Sequence, residues 1–351
     1  MYQHYLGVDL HKRRSYVVLM DGQGHISEHR RLSNDAMADY AAQIPEHTLA
    51  VVEATGNWSY MYDVLKPHVD EVVLVHPKQV RAIAAAKVKT DKIDATTLAH
   101  LARADLLPTA YAPPLAIRQL REMVRHRAKL VRERTRHKNQ IHRLLSVYNL
   151  HPPCKDVFGK QGRSFLATVR GQLSSVHQQL LDDHLFLIDV LDERIQAINQ
   201  TITTWVSQDP RARLLITMPG IGEYSAAVII AEIGDIDRFP DAKHLCSYAG
   251  LVPSVRNSDR KVHHGHITKE GSPWLRWIMV SAAQRAPCAS PRLGSFFERI
   301  AQQHDRKTAR VALAPKMLTI VYVMLRRSEP FREMIQPGQL GKPVFSTDPH
   351  P

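Results

Sequence analysis

Cysteine is almost missing from this chain: Cys154, Cys246 and Cys288 are the three in 351 residues, far apart and odd in number. That excludes a disulfide framework and a cysteine-rich zinc site, and it fits a reducing cytosol. No apolar run approaches the roughly 20 residues that span a bilayer. The opening Met1-Tyr2-Gln3-His4-Tyr5 has neither the charged nor the apolar region of a secretory leader. Acids are the minority charge, 34 against 47 Lys and Arg, for a net charge of +13 and a pI near 9.7. Such a balance points to a polyanionic partner, with nucleic acid ahead of a membrane surface.

Scarce acids draw attention where they gather. Asp9 ends the run Tyr5-Leu6-Gly7-Val8, and Glu53 ends Leu49-Ala50-Val51-Val52. Asp91 and Asp94 stand three apart in Lys89-Thr90-Asp91-Lys92-Ile93-Asp94, a spacing that puts both on one helix face. Each acid has an ordinary explanation: a turn cap, a pair with a nearby Lys, or a helix start after Thr90. Together they imply a bound cation, because clustered carboxylates repel unless something positive sits between them. Hard oxygen ligands suit Mg²⁺ or Mn²⁺, the metals that serve phosphodiester chemistry.

The first 107 residues read as an α/β domain. Leu6–Asp9, Tyr16–Met20 and His25–Leu32 resemble three strands, with Asp21-Gly22 as turn chemistry. Leu49–Val52 and Val72–Val75 look like buried strands, and Trp58–Val69, Lys78–Ala86 and Ala95–Ala104 look helical. Three strands followed by alternating strand and helix is the order of a ribonuclease-H-like domain. Pro108, Pro113 and Pro114 mark a boundary.

Residues 108–210 read as a helical middle region. From Ile117 to Leu145 the chain carries ten Lys and Arg, among them Arg118, Arg121, Arg125, Arg132 and Arg136, against Glu122 and Glu133. With no Pro or Gly, this predicts one long basic helix. The imbalance looks too one-sided for internal salt bridges, so contacts to a phosphate backbone are expected. A second helix is predicted from about Leu180 to Val206. Its Ile188, Leu191, Ile195, Ile198, Ile202 and Trp205 form a coiled-coil-like seam, either within one subunit or between two.

Residues 211–335 form the last folded region, with 336–351 as a flexible tail. Pro219-Gly220-Ile221-Gly222 ahead of the apolar helix Tyr224–Ile233 resembles a helix-hairpin-helix element, whose Gly220 and Gly222 would admit a phosphate. A donor-rich loop follows, from Arg256 through Lys261 to His263, His264, His266 and Lys269, before a helix that opens on Trp274-Leu275-Arg276-Trp277. The histidines lack a second ligand pair at zinc spacing. Ser254, Ser258 and Ser272 are each chemically able to attack phosphate.

These blocks, in this order, resemble the DEDD transposases of bacterial insertion sequences, the insertion-sequence one-ten family, with its Piv-like DNA invertases and bridge-RNA-guided serine recombinases. The resemblance rests on Gly7-Val8-Asp9, Val52-Glu53-Ala54-Thr55-Gly56, Lys89-Thr90-Asp91-Lys92-Ile93-Asp94-Ala95, Pro219-Gly220-Ile221-Gly222 and Ala249-Gly250-Leu251-Val252-Pro253, and covers about residues 5–330. It implies a RuvC-like domain in which Asp9, Glu53, Asp91 and Asp94 bind Mg²⁺ or Mn²⁺. It also implies a C-terminal transposase domain in which a serine before Gly265-His266-Ile267-Thr268-Lys269-Glu270-Gly271 attacks DNA to form a phosphoserine. Counting from Pro253 selects Ser258, although this chain has Asp259 where many members have glycine. Further implied are donor and target DNA, a structured guide RNA, a homo-oligomer (dimer or tetramer), a bacterial, nucleoid-associated location, and phosphate contacts from the basic helix, Arg256 and Lys269. The alternatives are a RuvC-like metal-dependent endonuclease using water, or a non-catalytic nucleic-acid-binding protein.

Overall fold

Alternating apolar residues in the first fifty positions can cover both faces of a sheet, and they do. A computed structural model describes residues 2–84, 90–258 and 261–332, the side chains of 255–264 excepted. Its contacts divide the chain into two units, Met1–Ala112 and Pro113–Pro351.

The first unit contains β1 (His4–Leu10), β2 (Arg14–Asp21), β3 (Ile26–Ser33), α1 (Met37–Ala41), β4 (Thr48–Glu53), α2 (Trp58–Leu65), β5 (Glu71–Val75), α3 (Pro77–Ile83), α4 (Asp91–Arg103) and β6 (Thr109–Ala110). They form a mixed sheet in the order β3-β2-β1-β4-β5-β6. β1 pairs antiparallel with β2 and parallel with β4. The Asp21 carboxylate fixes the first hairpin by accepting from the Gln23 and His25 amides, both at 2.9 Å. The five predicted strands and three predicted helices all form. Residues 85 and 86, the end of the second predicted helix, lie outside the described residues.

Side-chain alternation assigns the two faces. Leu6, Val8, Val17, Leu19, Ala50 and Val52 pack with Met37, Met61 and Leu65 of α1 and α2. Tyr5, Leu49, Val51 and Val75 pack with Val80, Leu98 and Ala99 of α3 and α4. Gly7 and Asp9 share the face of Tyr5, and Glu53 shares that of Val51, so both acids look toward α4. Gly7 decides how close α4 comes. A methyl group there would stand 2.0 Å from the Ala95 carbonyl oxygen and 2.9 Å from the Ala99 nitrogen.

The second unit is mostly helical: α5 (Leu115–Val147), α6 (Lys160–Val169), α7 (Ser175–Gln208), α8 (Pro210–Ile216), α9 (Glu223–Ile233), α10 (Ala242–Tyr248), β7 (Pro253–Ser258), β8 (Lys261–Ile267), α11 (Pro273–Ala282), α12 (Ala286–Ala289), α13 (Pro291–Gln303) and α14 (Arg306–Arg327). Its helices begin where capping residues dictate. Ser174, Asp209, Asp241, Ser272, Ser290 and Asp305 each accept a bond from a first-turn amide. α14 corrects one expectation, since it carries an 18-residue window of mean hydropathy 1.4, enough by length and composition to cross a membrane. Half of that window is buried here, with Leu313, Met317, Leu318 and Val321 in the main core.

α7 runs antiparallel along α5, as the pairs Tyr148–His177, His137–His184 and Arg127–Asn199 show. The predicted seam is therefore used inside one chain. Ile188, Ile195 and Ile202 are its buried members. Ile202 joins a core with Ile117, Leu120 and Val124 of α5 and the helices of the C-terminal third. Ile188 joins a separate far cluster with Ile141, Leu145, Val157 and Leu166.

Two outcomes follow from these contacts. Gly7→Ala should destabilise the first unit by about 1–3 kcal/mol, as overpacking does, because backbone rather than a flexible side chain opposes the methyl; denaturant unfolding followed by circular dichroism measures it. The second concerns pH. Burial, and then the neighbouring His137, hold the His184 ring below its ordinary pKa. The unfolded chain thus binds the proton more readily, and stability present above pH about 6.5 is lost as pH falls through that value. Melting of the wild type should drop more steeply with acidification than melting of His184→Gln.

Candidate active site

The N-terminal acids converge because a strand pair and a helix end meet. In the parallel ladder Val8 stands opposite Val52, so Asp9 and Glu53 follow at neighbouring strand ends on one face. Thr90 caps α4, its Oγ1 accepting from the Ile93 amide at 3.2 Å. Asp91 is then the first residue of α4 and Asp94 lies one turn on. The ordinary reading of Asp91 as a helix starter and the reading of it as a site residue are both satisfied.

One participant escapes a reading of the sequence. His11 Nε2 stands 3.2 Å from Asp9 Oδ2 and 3.2 Å from Asp91 Oδ1, bridging the two carboxylates. Arg31 Nη2 approaches Asp91 from the other side at 3.8 Å. Asp9 is buried, while His11 and Asp91 are reachable from solvent. The ligand atoms of Asp9, His11 and Asp91 all lie within 4.8 Å of one another, a spacing able to hold a metal ion. Glu53 and Asp94, both half-buried, are not part of that tight group. The only signal for His11 is its position two residues past Asp9, just beyond the end of β1. Two oxygens and one imidazole nitrogen suit Mn²⁺ well, and Mg²⁺ through the oxygens.

The second cluster lies in the other unit, at the base of a hairpin. The stretch that reads as a loop is the two-stranded hairpin β7–β8, with Ser258 opposite Lys261 at its tip. The side chains of Arg256 and Ser258 lie outside what is described. Its base is closed by backbone bonds between the two motif blocks: Thr268 N to Val252 O at 2.9 Å, Lys269 N to Gly250 O at 3.2 Å, and Ser272 N to Tyr248 O at 2.7 Å. Gly250 and Gly271 are required there. Both have positive φ, and a methyl on either would strike the Glu270 or the Tyr248 carbonyl oxygen at 2.2 or 2.1 Å. Lys269 is exposed and itself holds φ +57.

Glu232 also escapes the sequence reading. It is an almost fully buried acid near the end of α9, and its being the one charge in the apolar stretch Tyr224–Ile233 is the available signal. Its Oε1 accepts from Arg125 at 2.7 and 3.0 Å, and its Oε2 accepts from the Ser272 hydroxyl at 2.9 Å. Arg121 donates to the Ala231 carbonyl at 2.9 Å. Arg134 pairs with Asp192. The expectation that the basic helix is too one-sided for internal pairing is thus overturned: the partners come from α7 and α9, far along the chain. Arg121 and Arg125 face inward, Arg118 is half-buried, and Arg132 and Arg136 are exposed. Ser272, one of three candidate nucleophiles, is a buried cap tied to Glu232.

The Pro219–Gly222 turn joins α8 to α9, and Gly220 has φ +86. A methyl there would meet the Ala282 carbonyl at 2.5 Å, so this glycine serves packing. Gly222 is open, with nothing within 4 Å of where a methyl would stand, and precedes Glu223 at the start of α9.

Comparison with known proteins decides the affiliation. Residues 6–150 match a family model of DEDD type described as "Transposase", and residues 212–298 match one described as "Transposase IS116/IS110/IS902 family". The chain belongs to this transposase family. Among its relatives is a Pseudomonas aeruginosa protein described as "Probable family 20 transposase", 27% identical over 93% of this chain and 98% of that protein. The pilin gene-inverting protein of Moraxella bovis is 28% identical over 81% and 82%. The transposase for insertion sequence element IS1328 of Yersinia enterocolitica is 25% identical over 93% and 98%. The two matched segments coincide with the two clusters of this transposase: acids in the first, hairpin base in the second.

Arg125→Met leaves Glu232 charged and buried without its main partner. It should cost about 3 kcal/mol, the lower end for a broken buried pair, because Arg121 remains 3.9 Å away. Arg132→Met, on the exposed face, should change the unfolding free energy by less than about 0.5 kcal/mol.

Proposed function

We propose that this transposase is a site-specific DNA recombinase that cuts and rejoins DNA through a phosphoserine at Ser258, with Asp9, Glu53, Asp91 and Asp94 of a RuvC-like domain binding Mg²⁺ or Mn²⁺. The observation that carries the reading is the approach of α4 to β1 over Gly7, which sets Asp91 beside Asp9 with His11 between them. The strand order, three antiparallel strands followed by parallel ones, supports the RuvC-like assignment.

In this reading Ser258 Oγ attacks the phosphorus and a new P–O ester forms. The bond to the departing sugar oxygen breaks, and that oxygen leaves as a hydroxyl after taking up a proton. Attack of a DNA hydroxyl on the phosphoserine reverses the exchange and frees the serine. A divalent ion, when held by Asp9, Glu53, Asp91 and Asp94, would supply positive charge to the phosphate oxygens. The chain's own contribution is placement. The parallel β1–β4 pair holds Asp9 and Glu53 together, and the capped start of α4 holds Asp91 and Asp94. The hairpin, zipped at Gly250 and Gly271, pairs Ser258 with Lys261.

Lys129, Arg132, Arg136 and Arg143 fall on one exposed face of α5 and suit the backbone of DNA or of a structured guide RNA. With backbone contacts dominant, target choice is delegated to RNA pairing. Val176, Leu180 and Leu187 remain exposed along α7, with exposures of 65%, 40% and 39%, and offer a surface for a second copy of the chain. The resulting homo-oligomer would bring the acids of one subunit to the serine of another.

The test uses the full chain, a supercoiled plasmid bearing the element's end junction, and RNA transcribed from the flanking DNA. Denaturing gels should show a protein–DNA adduct, absent with Ser258→Ala and reduced at least about a thousandfold with Asp9→Asn or a chelator. An adduct that survives Ser258→Ala removes the nucleophile. Strand cleavage with no adduct in the wild type favours a water-using endonuclease. Independently of turnover, Mn²⁺ should raise the melting temperature of the wild type and leave that of Asp9→Asn unmoved.

A further inference from the structure

At the start of α11 lies a group of rings and cations that neither the metal cluster nor the serine chemistry uses. Trp277 is 45% exposed. Its ring stands edge-on to Trp274 at 5.9 Å and to Tyr224 at 6.4 Å between centroids. Arg127 lies over the Tyr224 ring at 4.0 Å, and Arg125 over Trp274 at 5.5 Å. The two arginines and Tyr224 are held from behind. Arg125 is fixed by Glu232, Arg127 donates to Asn199 Oδ1 at 3.1 Å, and the Tyr224 hydroxyl donates to the Val124 carbonyl at 2.9 Å. The groups against which the two tryptophan rings rest are therefore fixed by hydrogen bonds.

Single exposed aromatics are common on proteins and need no partner. This one is different in its surroundings. Tyr224 also lines a surface cavity of about 350 Å³ whose walls include Asn199, Thr203, Glu223 and Ser225. Thr203 donates to the Glu223 carboxylate and Asn199 Oδ1 accepts from Arg127, so the polar groups that could meet a nucleobase edge there are the Asn199 amide nitrogen and the Ser225 hydroxyl. The exposed Trp277 ring matches the face of such a base, and the arginines that cover the adjoining Trp274 and Tyr224 rings supply positive charge for the phosphate nearby. The ring contacts of Trp277 are to Trp274 and Tyr224, each of which carries an arginine over its ring, a setting that favours an anionic aromatic ligand over an apolar protein surface. The position is also tied to the serine hairpin. Arg276 Nη1 donates to the Ala249 carbonyl at 2.9 Å, and the Ser272 amide to the Tyr248 carbonyl, so α11 is anchored to the turn from which β7 departs.

We propose that Trp277, supported by Trp274 and Tyr224, is a stacking site for an unpaired DNA base. The proposal deepens the recombinase reading and rests on it, since a strand being cut and rejoined offers unpaired bases next to the break. A base within a duplex has both faces covered by its neighbours and cannot use the site.

Equilibrium binding of the full chain to an oligothymidylate, a duplex of equal length and an oligouridylate tests this, read by fluorescence anisotropy of labelled strands. Trp277→Ala should weaken oligothymidylate binding about tenfold and Trp277→Phe less than about threefold, while duplex binding stays within about twofold. Unchanged melting temperatures show that both variants fold. Oligothymidylate binding that ignores Trp277→Ala, or duplex binding that falls in parallel, overturns the stacking site. Oligouridylate bound about tenfold more tightly than oligothymidylate overturns its assignment to DNA. The two readings separate cleanly. A wild type that binds none of the probes brings down the nucleic-acid reading itself, whereas intact duplex binding and intact serine adduct with no effect of Trp277→Ala removes the stacking site alone.

Discussion

The missing side chain at Gly7 sets the geometry of the first unit. A helix normally keeps its distance from a strand by the thickness of a side-chain layer. Here the backbone of α4 rests on the backbone of β1, and Ala95 and Ala99 keep the helix side of the contact thin. That closeness is what lets short carboxylate side chains from two elements share one small volume. The His11 ring stands between Asp9 and Asp91, and the Arg31 guanidinium of β3 approaches Asp91 and offsets part of their repulsion. The acids of a strongly basic protein are thus concentrated by steric means and stabilised by local charge.

The second unit solves the inverse problem. It must place many cations on one long helix without leaving them to repel each other. Part of the answer is burial of a single acid. Glu232 draws Arg125 and Arg121 inward and uses its other oxygen to hold Ser272, the residue that follows the hairpin's base. One carboxylate therefore links α5, α9 and α11. A buried charge of this kind is weak as a source of stability, because desolvation offsets much of the attraction. Its value is in fixing which elements meet. Arg132 and Arg143 are exposed on α5 and keep their charge for solvent.

Much of this is legible locally. Strands announce themselves as short apolar runs, and Asp21-Gly22 marks the turn between two of them. Asp9 and Glu53 can be assigned to strand ends because the runs before them are unambiguous. Asp91 and Asp94 follow from helical spacing. What no local reading supplies are the pairings set by tertiary folding. Arg125 finds its acid 107 residues away, and no window of sequence shows that. His11 is meaningful only once Asp91 has been carried across the sheet to meet it. The β7–β8 hairpin reads as a loop because Arg, Asn and His occupy positions where a buried strand would alternate apolar residues. Its pairing rests on the glycine-closed base instead. The motif assigns Gly220 to phosphate, yet the space it frees is filled by the backbone at Ala282.

The antiparallel pair of α5 and α7 has a consequence of scale. At about 1.5 Å per residue, a helix of 33 residues is about 50 Å long. One end is embedded in the main core at Ile117 and Val124, and the other holds the small cluster around Ile141, Leu166 and Ile188. Between the two, polar pairs such as Arg134–Asp192 and His137–His184 replace apolar packing. The pair is a lever arm. A tilt of about a tenth of a radian at the embedded end carries Ile141, roughly 30 Å away, through about 3 Å, a displacement comparable to the rise of about 3.4 Å per phosphate along one DNA strand.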